Sequence, residues 1–197
     1  MSSIARQLQR GFTERLDGFL ASASVEQAAL FGAACVERAC GILFWVVSKG
    51  ERTRDWEIYS NALDELWRQS HGSEGGVSPV RSVDIEGLKE LTLGDEAVRE
   101  AAFALHGAIA MHAALKFLET YDVSWVEDCS LTLRNHAFRL GRRVGAELVP
   151  GEEEQQALDI AEIRRCTEID AELANKLRER ARGVARSRLQ LTVARYG

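Results

Sequence analysis

The chain has 197 residues, of which 46% are hydrophobic and 28% are charged, and its formal net charge is −5. This composition is that of a globular protein, and the length fits one domain spanning residues 1–197 that needs no disulfide or metal for stability. The four cysteines lack CxxC or other metal-site spacing, so we expect buried free thiols, no metal and no cofactor.

Apolar residues recur at helical spacing throughout, which predicts an all-α protein. After a first helix at about residues 3–20, Ser24 opens a capping box before a long apolar segment, residues 26–48. Glu37 and Arg38 lie at the centre of this segment. Charges at mid-membrane are costly, and no other segment is expected to be long and apolar enough to be a span. We therefore predict the buried central helix of a bundle and no membrane span.

Further helices are expected at about 53–70, 83–91 and 95–121, then from 124 to before Pro150, with residues 71–79 as the clearest loop. A last helix is expected to begin in the acidic run 151–156 and to reach at least residue 182, with Gly183 ending or loosening it. Ser124 is expected to open a second capping box. The prediction is a single-domain bundle of six to seven helices with an apolar central helix and a basic helical extension from about residue 180.

The charged pair Glu37 and Arg38 is the first candidate site. Charges in a buried helix are costly unless they are paired and hydrogen-bonded, so partners are expected from other helices. One interpretation is a buried polar network that fixes helix register; the other is a polar pocket that binds a small molecule or a partner side chain. The candidate members besides the pair itself are Asp64, Arg134, Glu168 and Asp170.

Catalytic signatures are missing from the sequence, which contains no Walker-type loop, GxGxxG, GxSxG or HExxH motif and no Glu-x-x-His spacing. His106 and His112 are six residues apart, so they do not share a helix face as a ligand pair. Trp56 and Trp67 are eleven residues apart and flanked by acidic residues, which favours core packing over a nucleic-acid stacking platform. The sequence therefore favours a protein that is not an enzyme.

The C-terminal segment, residues 176–197, carries a net charge of +6, against −11 on the other 175 residues. It is interpreted either as a solvated helix end or as a contact for an anionic partner, namely nucleic acid, a lipid surface or an acidic protein patch. Nucleic acid is disfavoured because aromatic residues do not alternate with the arginines. The candidate contacts are Arg178, Arg180, Arg182, Arg186 and Arg188.

Two stretches, residues 31–47 and 58–67, resemble the YjaG-like family, a bacterial domain-of-unknown-function family of helical proteins. That family has a Cys-x-Glu-Arg stretch in an apolar helix and then a Tyr-x-x-x-Leu-Asp-x-x-Trp helix. Residues 108–119 and 166–178 are similar to its central and last helices. The chain departs from the family at Cys40-Gly41, where family members carry a proline, and at His106-Gly107 and Ala110. The resemblance implies an all-helical fold and no particular activity. The matching residues of the first two stretches are Cys35, Glu37, Arg38, Tyr59, Leu63, Asp64 and Trp67.

These observations favour a non-enzymatic module that binds a bacterial protein partner, of an immunity or regulatory type, with the acidic body meeting a basic surface. The alternatives are a small-ligand receptor or enzyme that uses a pocket around Glu37 and Arg38, and a nucleic-acid-associated protein acting through the arginine-rich end. A homo-oligomer is left open, and the amphipathic N-terminus favours the cytoplasm.

Overall fold

The computed structural model describes residues 3–71, 80–93, 97–166 and 168–197, with side chains from residue 11 onward. The protein is all-α and forms a single domain, as predicted. Within the described residues there are seven helices of 15 residues or more and two of five residues, and no strand. Their bounds are α1 Ser3–Leu20, α2 Val25–Lys49, α3 Thr53–Ser70, α4 Ser82–Glu86, α5 Lys89–Leu93, α6 Ala101–Thr120, α7 Ser124–Val144, α8 Val149–Ile163 and α9 Ala171–Tyr196.

Helix α2 is the centre of the bundle. It packs against α3, α6, α7, α8 and α9, and its side chains are buried on almost every side from Ala28 to Leu43. The capping box predicted at its start is confirmed, because Ser24 accepts a hydrogen bond from the Gln27 amide and the Gln27 side chain accepts one from the Ser24 amide. Helix α6 approaches α2 closely at Gly107, where a Cβ would lie 3.1 Å from Leu43 Cβ.

Two helices in the described part of the chain are long and apolar enough, by length and composition, to cross a membrane. They are α2 and α6, so the expectation that no second segment has this character is wrong. Within the most apolar window of each, 78% of α2 and 61% of α6 is buried in the bundle. Mostly buried core helices have the same composition, so these two helices are weak evidence for a span.

Several local predictions are wrong. The single short helix predicted at about 83–91 is two helices, α4 and α5. Helix α7 begins without a side-chain cap; the Asp122 side chain instead accepts a hydrogen bond from the Ser124 amide. Trp67 is buried, but Trp56 is 43% exposed. The predicted last helix is two helices, since a turn after Ile163 separates α8 from α9. The segment predicted as the clearest loop lies outside the described residues, apart from His71.

All four cysteines are free thiols. Cys35, Cys40 and Cys129 are buried, whereas Cys166 is partly exposed at the turn between α8 and α9. Burial raises the pKa of the Cys35 thiol to about 12, although the neighbouring Arg38 opposes the shift. Burial also raises the pKa of Cys40 and Cys129 well above the ordinary thiol value.

Helix α9 continues through Gly183, which is exposed, and a Cβ at this position would meet no atom within 4 Å. The expectation that Gly183 ends the helix is wrong. We predict that Gly183→Ala raises the free energy of unfolding by about 1 kcal/mol, because alanine is the better helix former. Urea denaturation measures the change.

The matched control is Gly141→Ala. A Cβ at Gly141 would lie 2.4 Å from the Ala146 carbonyl oxygen, so this substitution is expected to lower the free energy of unfolding by about 1–3 kcal/mol. Equal effects of the two substitutions would contradict the helix path described for α9.

Candidate functional site

Arg38 is 1% exposed and lies in the interior among α2, α8 and α9. Its Nε donates to Glu152 Oε1 at 3.1 Å, and its Nη1 donates to Asp159 Oδ2 at 2.5 Å. Its Nη2 lies 3.2 Å from Cys35 Sγ. Burial alone would lower the pKa of Arg38, but the charges of Glu152 and Asp159 outweigh it and hold this pKa above its ordinary value.

Helix α8 provides the acidic side of this site. Glu152, Gln156 and Asp159 are spaced at i, i+4 and i+7, so they share one face, and this face is fully buried. Burial would raise the pKa of Glu152, but the charges of Arg38 and Arg188 lower it below its ordinary value. The Gln156 amide donates to Glu152 Oε1 at 2.8 Å, and Ser130 on α7 donates to Gln156 Oε1 at 2.6 Å.

Two arginines of α9 complete the arrangement. Arg188, 5% exposed, pairs with Glu152, and Arg180 donates to Asp159 Oδ1 at 2.6 Å and to Glu162 Oε1 at 3.0 Å. Three helices are thereby joined by charge-assisted hydrogen bonds in the protein interior. We call this set the buried ion network; its members are Arg38, Glu152, Asp159, Arg180 and Arg188.

Glu37 lies in a separate arrangement, because consecutive helical residues point about 100° apart. It accepts hydrogen bonds from Trp67 Nε1 at 2.7 Å and from Arg178 and Arg182, each at 3.3 Å. Arg178 also reaches Asp64 at 2.5 Å and lies over the Trp67 ring. We call this the Glu37 cluster. A hollow of 260 Å³ adjoins it, lined by Asp64, Trp67, Arg68, His71, Ala174, Asn175 and Arg178.

The structure thus places the predicted site residues in several locations. Glu37 and Asp64 come together through Arg178, whereas Arg38 belongs to the buried ion network. Arg134 lies over the Phe12 ring, 5.2 Å from its centre, Glu168 is exposed, and Asp170 caps the start of α9 by accepting from the Leu173 amide. Glu152 and Asp159 were missed. Their signal in the sequence is the polar i, i+4, i+7 spacing inside an otherwise apolar helix face.

The arginines of the basic C-terminal segment mostly face the protein's own carboxylates. Arg178, Arg180, Arg182 and Arg188 each form an ion pair with Glu37, Asp159 or Glu152. Arg186 differs, since its side chain is 71% exposed and its nearest carboxylate oxygen, on Glu179, is 3.9 Å away.

Two buried histidines, His106 and His136, lie near Arg188 of the buried ion network. The rings of His106 and His136 are 5.8 Å apart, and the Phe103 ring is 5.9 Å from that of His136. His136 is fully buried, and neither ring nitrogen has a hydrogen-bond partner among the described residues. Burial lowers its pKa well below the ordinary histidine value, and the charge of Arg188 adds to this. Burial also lowers the pKa of His106, with a further contribution from Arg139.

A cleft of 520 Å³ opens at the surface between the start of α6 and the last turns of α7. Arg99 lies over the Tyr196 ring and 3.4 Å from Glu100, and Arg142 lies over the Phe138 ring. Arg139 and Arg143 have no carboxylate within 4 Å in the described part of the chain. This cleft was not predicted from the sequence, although the arginine-rich run RLGRR at 139–143 is its signal. We call this the arginine cleft; it is lined by Ala97, Val98, Arg99, Ala102, Phe103, Phe138, Arg139, Arg142 and Arg143.

Among the described residues, no three histidine, cysteine, aspartate or glutamate side chains lie close enough together to hold a metal ion. The arrangement is that of an all-helical, single-domain protein with an ionic core and a basic surface cleft.

Comparison with known proteins supports the fold. No family model matches the chain, and no curated protein matches it. The structure is similar to the crystal structure of a DUF416 family protein from Shewanella baltica OS155, with a TM-score of 0.69 and 17% sequence identity. The similarity covers 83% of this chain and 91% of the other. At this identity the likeness shows a shared fold, which agrees with the expected resemblance to a domain family of unknown function.

Substitution of Arg38 tests the buried ion network. We predict that Arg38→Met lowers the free energy of unfolding by about 3–5 kcal/mol, because it leaves two buried carboxylates without their shared cation. The matched control is Arg186→Met, where the exposed pair is expected to contribute less than about 1 kcal/mol. Urea denaturation of both variants measures the difference, and comparable losses would contradict the assignment.

The histidine pair predicts a pH dependence of stability. Because the folded-state pKa of His106 and His136 is lowered, the unfolded chain binds more protons once the pH falls below the ordinary histidine pKa of about 6.5. The free energy of unfolding should therefore fall between about pH 6.5 and pH 5, above the range where carboxylates titrate. Urea denaturation across this interval measures the slope, and His136→Phe should reduce it. An unchanged slope in that variant would contradict the prediction.

Proposed function

We propose that this protein is a non-enzymatic binding module whose arginine cleft receives an acidic segment of a protein partner. The observation that carries the proposal is the convergence of four guanidinium groups on one surface cleft of 520 Å³. Guanidinium groups present planar forks of N–H donors that match carboxylates in paired geometry. Arg139 and Arg143 support this role because no carboxylate in the described part of the chain pairs with them.

The charge distribution of the chain supports an acidic segment over a nucleic acid. The whole chain carries −5, so a long phosphate backbone would meet net repulsion outside the cleft. A short acidic segment contacts the cleft alone. Electrostatic complementarity of this kind mainly raises the association rate and selects the partner.

Apolar side chains beside the arginines support a protein partner in particular. Val98 is 68% exposed and Phe138 is 54% exposed, and both line the cleft. An apolar surface next to paired donors is typical of binding interfaces, where aromatic and arginine residues are enriched. A simple inorganic anion would leave this apolar surface uncovered.

The chemistry of the lining supports binding rather than catalysis. The described lining residues contribute guanidinium, aromatic and aliphatic groups, and none of them is a carboxylate, histidine, cysteine or hydroxyl. Arginine does not lose its proton in proteins, so it serves as a donor and not as a general base. His106 and His136 are buried and are not among the described lining residues; the ring of Phe103, which lines the cleft, lies 5.9 Å from that of His136.

The partner we propose is a bacterial protein in an immunity or regulatory relationship with this one, and the contact lies on a basic cleft rather than on the acidic body. We also propose that the chain is a distant relative of the YjaG-like family. Its Cys-x-Glu-Arg stretch and its Tyr59-to-Trp67 helix support this, and so does the fold shared with a DUF416 family structure.

Charge reversal in the cleft tests the proposal. We predict that the double variant Arg139→Glu, Arg143→Glu weakens binding of a fluorescein-labelled glutamate- and phenylalanine-containing peptide by at least about tenfold. The matched control is Arg15→Glu, Arg54→Glu, which makes the same charge change at exposed positions on α1 and α3. Fluorescence anisotropy at near-physiological salt measures the affinity. Equal weakening by both double variants, or no binding by the wild type, would overturn the proposal.

Arg99 provides a variant in which lost binding is separable from lost folding. Its φ of 55° is in the left-handed region, where glycine is less strained than arginine. Arg99→Gly is therefore expected to fold at least as stably as the wild type while binding the acidic peptide more weakly. A lysine-containing peptide and a single-stranded oligonucleotide serve as comparison probes; preference for the oligonucleotide would favour the nucleic-acid alternative.

A further inference from the structure

The outer face of α7 carries a row of exposed side chains that leads into the arginine cleft. Leu131, Asn135, Phe138 and Arg142 are spaced at i, i+4, i+7 and i+11, so they lie along one stripe of the helix, and all four are exposed. Leu131 is 45% exposed and Phe138 is 54% exposed. We call this row the α7 outer stripe.

We propose that the acidic segment bound by this protein is an amphipathic helix that lies along the α7 outer stripe, with its acidic turns over the arginines at the end of α7. This inference rests on the proposed function and specifies the partner's conformation. Leu131 and Phe138 are about 10.5 Å apart along the helix axis, which is two helical turns. A partner helix with apolar residues at the same seven-residue spacing covers both side chains at once.

A helical partner fits this surface better than an extended one. Extended peptides usually bind by adding a strand to an exposed sheet edge, where the main chain supplies the hydrogen bonds. Residues 3–71, 80–93, 97–166 and 168–197 form helices and turns with no strand, so this part of the protein offers no such edge. Recognition there must come from side chains, and a helix in contact with a helix supplies them at matching spacing.

The arrangement of charge along α7 sets the direction of the partner. Arg139, Arg142 and Arg143 all lie in its last two turns, whereas Leu131 lies nearer its start. The acidic residues of the partner therefore lie at the α7 C-terminus. Acidic residues are most stable in the first turns of a helix, and a partner that starts there runs antiparallel to α7. The partner's helix dipole then also opposes that of α7.

A single exposed leucine or phenylalanine is ordinary on a protein surface. What distinguishes the α7 outer stripe is the combination of two large apolar side chains in helical register with a cluster of cations at one end. The occupant is thereby specified by charge complementarity and by spacing.

Three synthetic peptides of identical composition test the inference, each labelled with fluorescein. The first is a helix former with leucines in seven-residue register and glutamates in its first two turns. The second has the same leucine register with the glutamates in its last two turns. The third has a scrambled order without helical periodicity. We expect the first to bind at least about tenfold more tightly than either of the others, and to gain helical circular dichroism on binding.

Protein variants locate the contact. Phe138→Ala and Leu131→Ala should each weaken binding of the first peptide several-fold, whereas the control Val193→Ala, at a 40% exposed position on α9, should leave it unchanged. Equal binding of all three peptides that Arg139→Glu, Arg143→Glu abolishes would overturn the helix inference and leave the proposed function standing. Tighter binding of the second peptide would overturn the stated direction and with it the inference. Absence of binding by every peptide would overturn both proposals.

Discussion

The buried guanidinium of Arg38 is the constraint on which the packing of this protein depends. A cation in the middle of an apolar helix is tolerable only when carboxylates neutralise it and satisfy its donors. Glu152 and Asp159 do so from one face of α8, and Arg180 and Arg188 of α9 bind the same two carboxylates from the other side. Sliding α8 by one turn relative to α2 would separate these groups. The network is therefore expected to favour the observed register of the three helices over a slipped one.

This pairing also determines what the surface of the molecule presents. In the sequence, the basic end of the chain resembles an exposed segment that binds an anionic partner. In the structure, four of its five candidate arginines neutralise carboxylates of α2, α3 and α8, and Arg186 is the one that stays mostly exposed. The cationic surface is instead the arginine cleft, built by α6 and α7. The arginines of the C-terminal segment are thus mostly neutralised by the protein's own carboxylates. Arg139 and Arg143 of the arginine cleft have no such partner among the described residues, so their charges are available to a partner molecule.

Much of the fold could be predicted from the sequence, and the reasons are local. The 3.6-residue apolar period, the Ser24 capping box and the apolar character of α2 depend on residues close together in the chain, so they gave the helical class and the central helix correctly. The division between α8 and α9 was missed because the residues around it are polar but not strong helix breakers. Trp56 was placed in the core because spacing alone does not show which side of a stripe the bundle covers.

The candidate site was harder to predict, since it depends on pairs far apart in sequence. The pair Glu37 and Arg38 was recognisable as needing partners, but Asp64, one of the predicted partners, is joined to Glu37 only through Arg178. Yet Arg38 meets Glu152 at a separation of 114 residues and Asp159 at 121, and many carboxylates were equally eligible before packing was known. The acidic run that includes Glu152 is also explained by the start of a helix, where acidic residues are common. The sequence therefore offered no reason to expect that the Glu152 side chain is buried. Prediction of the arginine cleft would have required knowing that the start of α6 lies beside the end of α7.

The distribution of thiols gives this protein a natural reporter of its own opening. Cys35 contacts Arg38, and Cys40 and Cys129 are likewise sealed in the core with pKa values above the ordinary thiol range. Thiolate is the reactive form of cysteine, so an alkylating reagent meets Cys166 first and the three interior thiols only when the bundle separates. Mass spectrometry of alkylated protein then measures two alkylation rates in one molecule. The fast rate reports exposure of Cys166 at the turn before α9, and the slow rate reports exposure of the central helix α2.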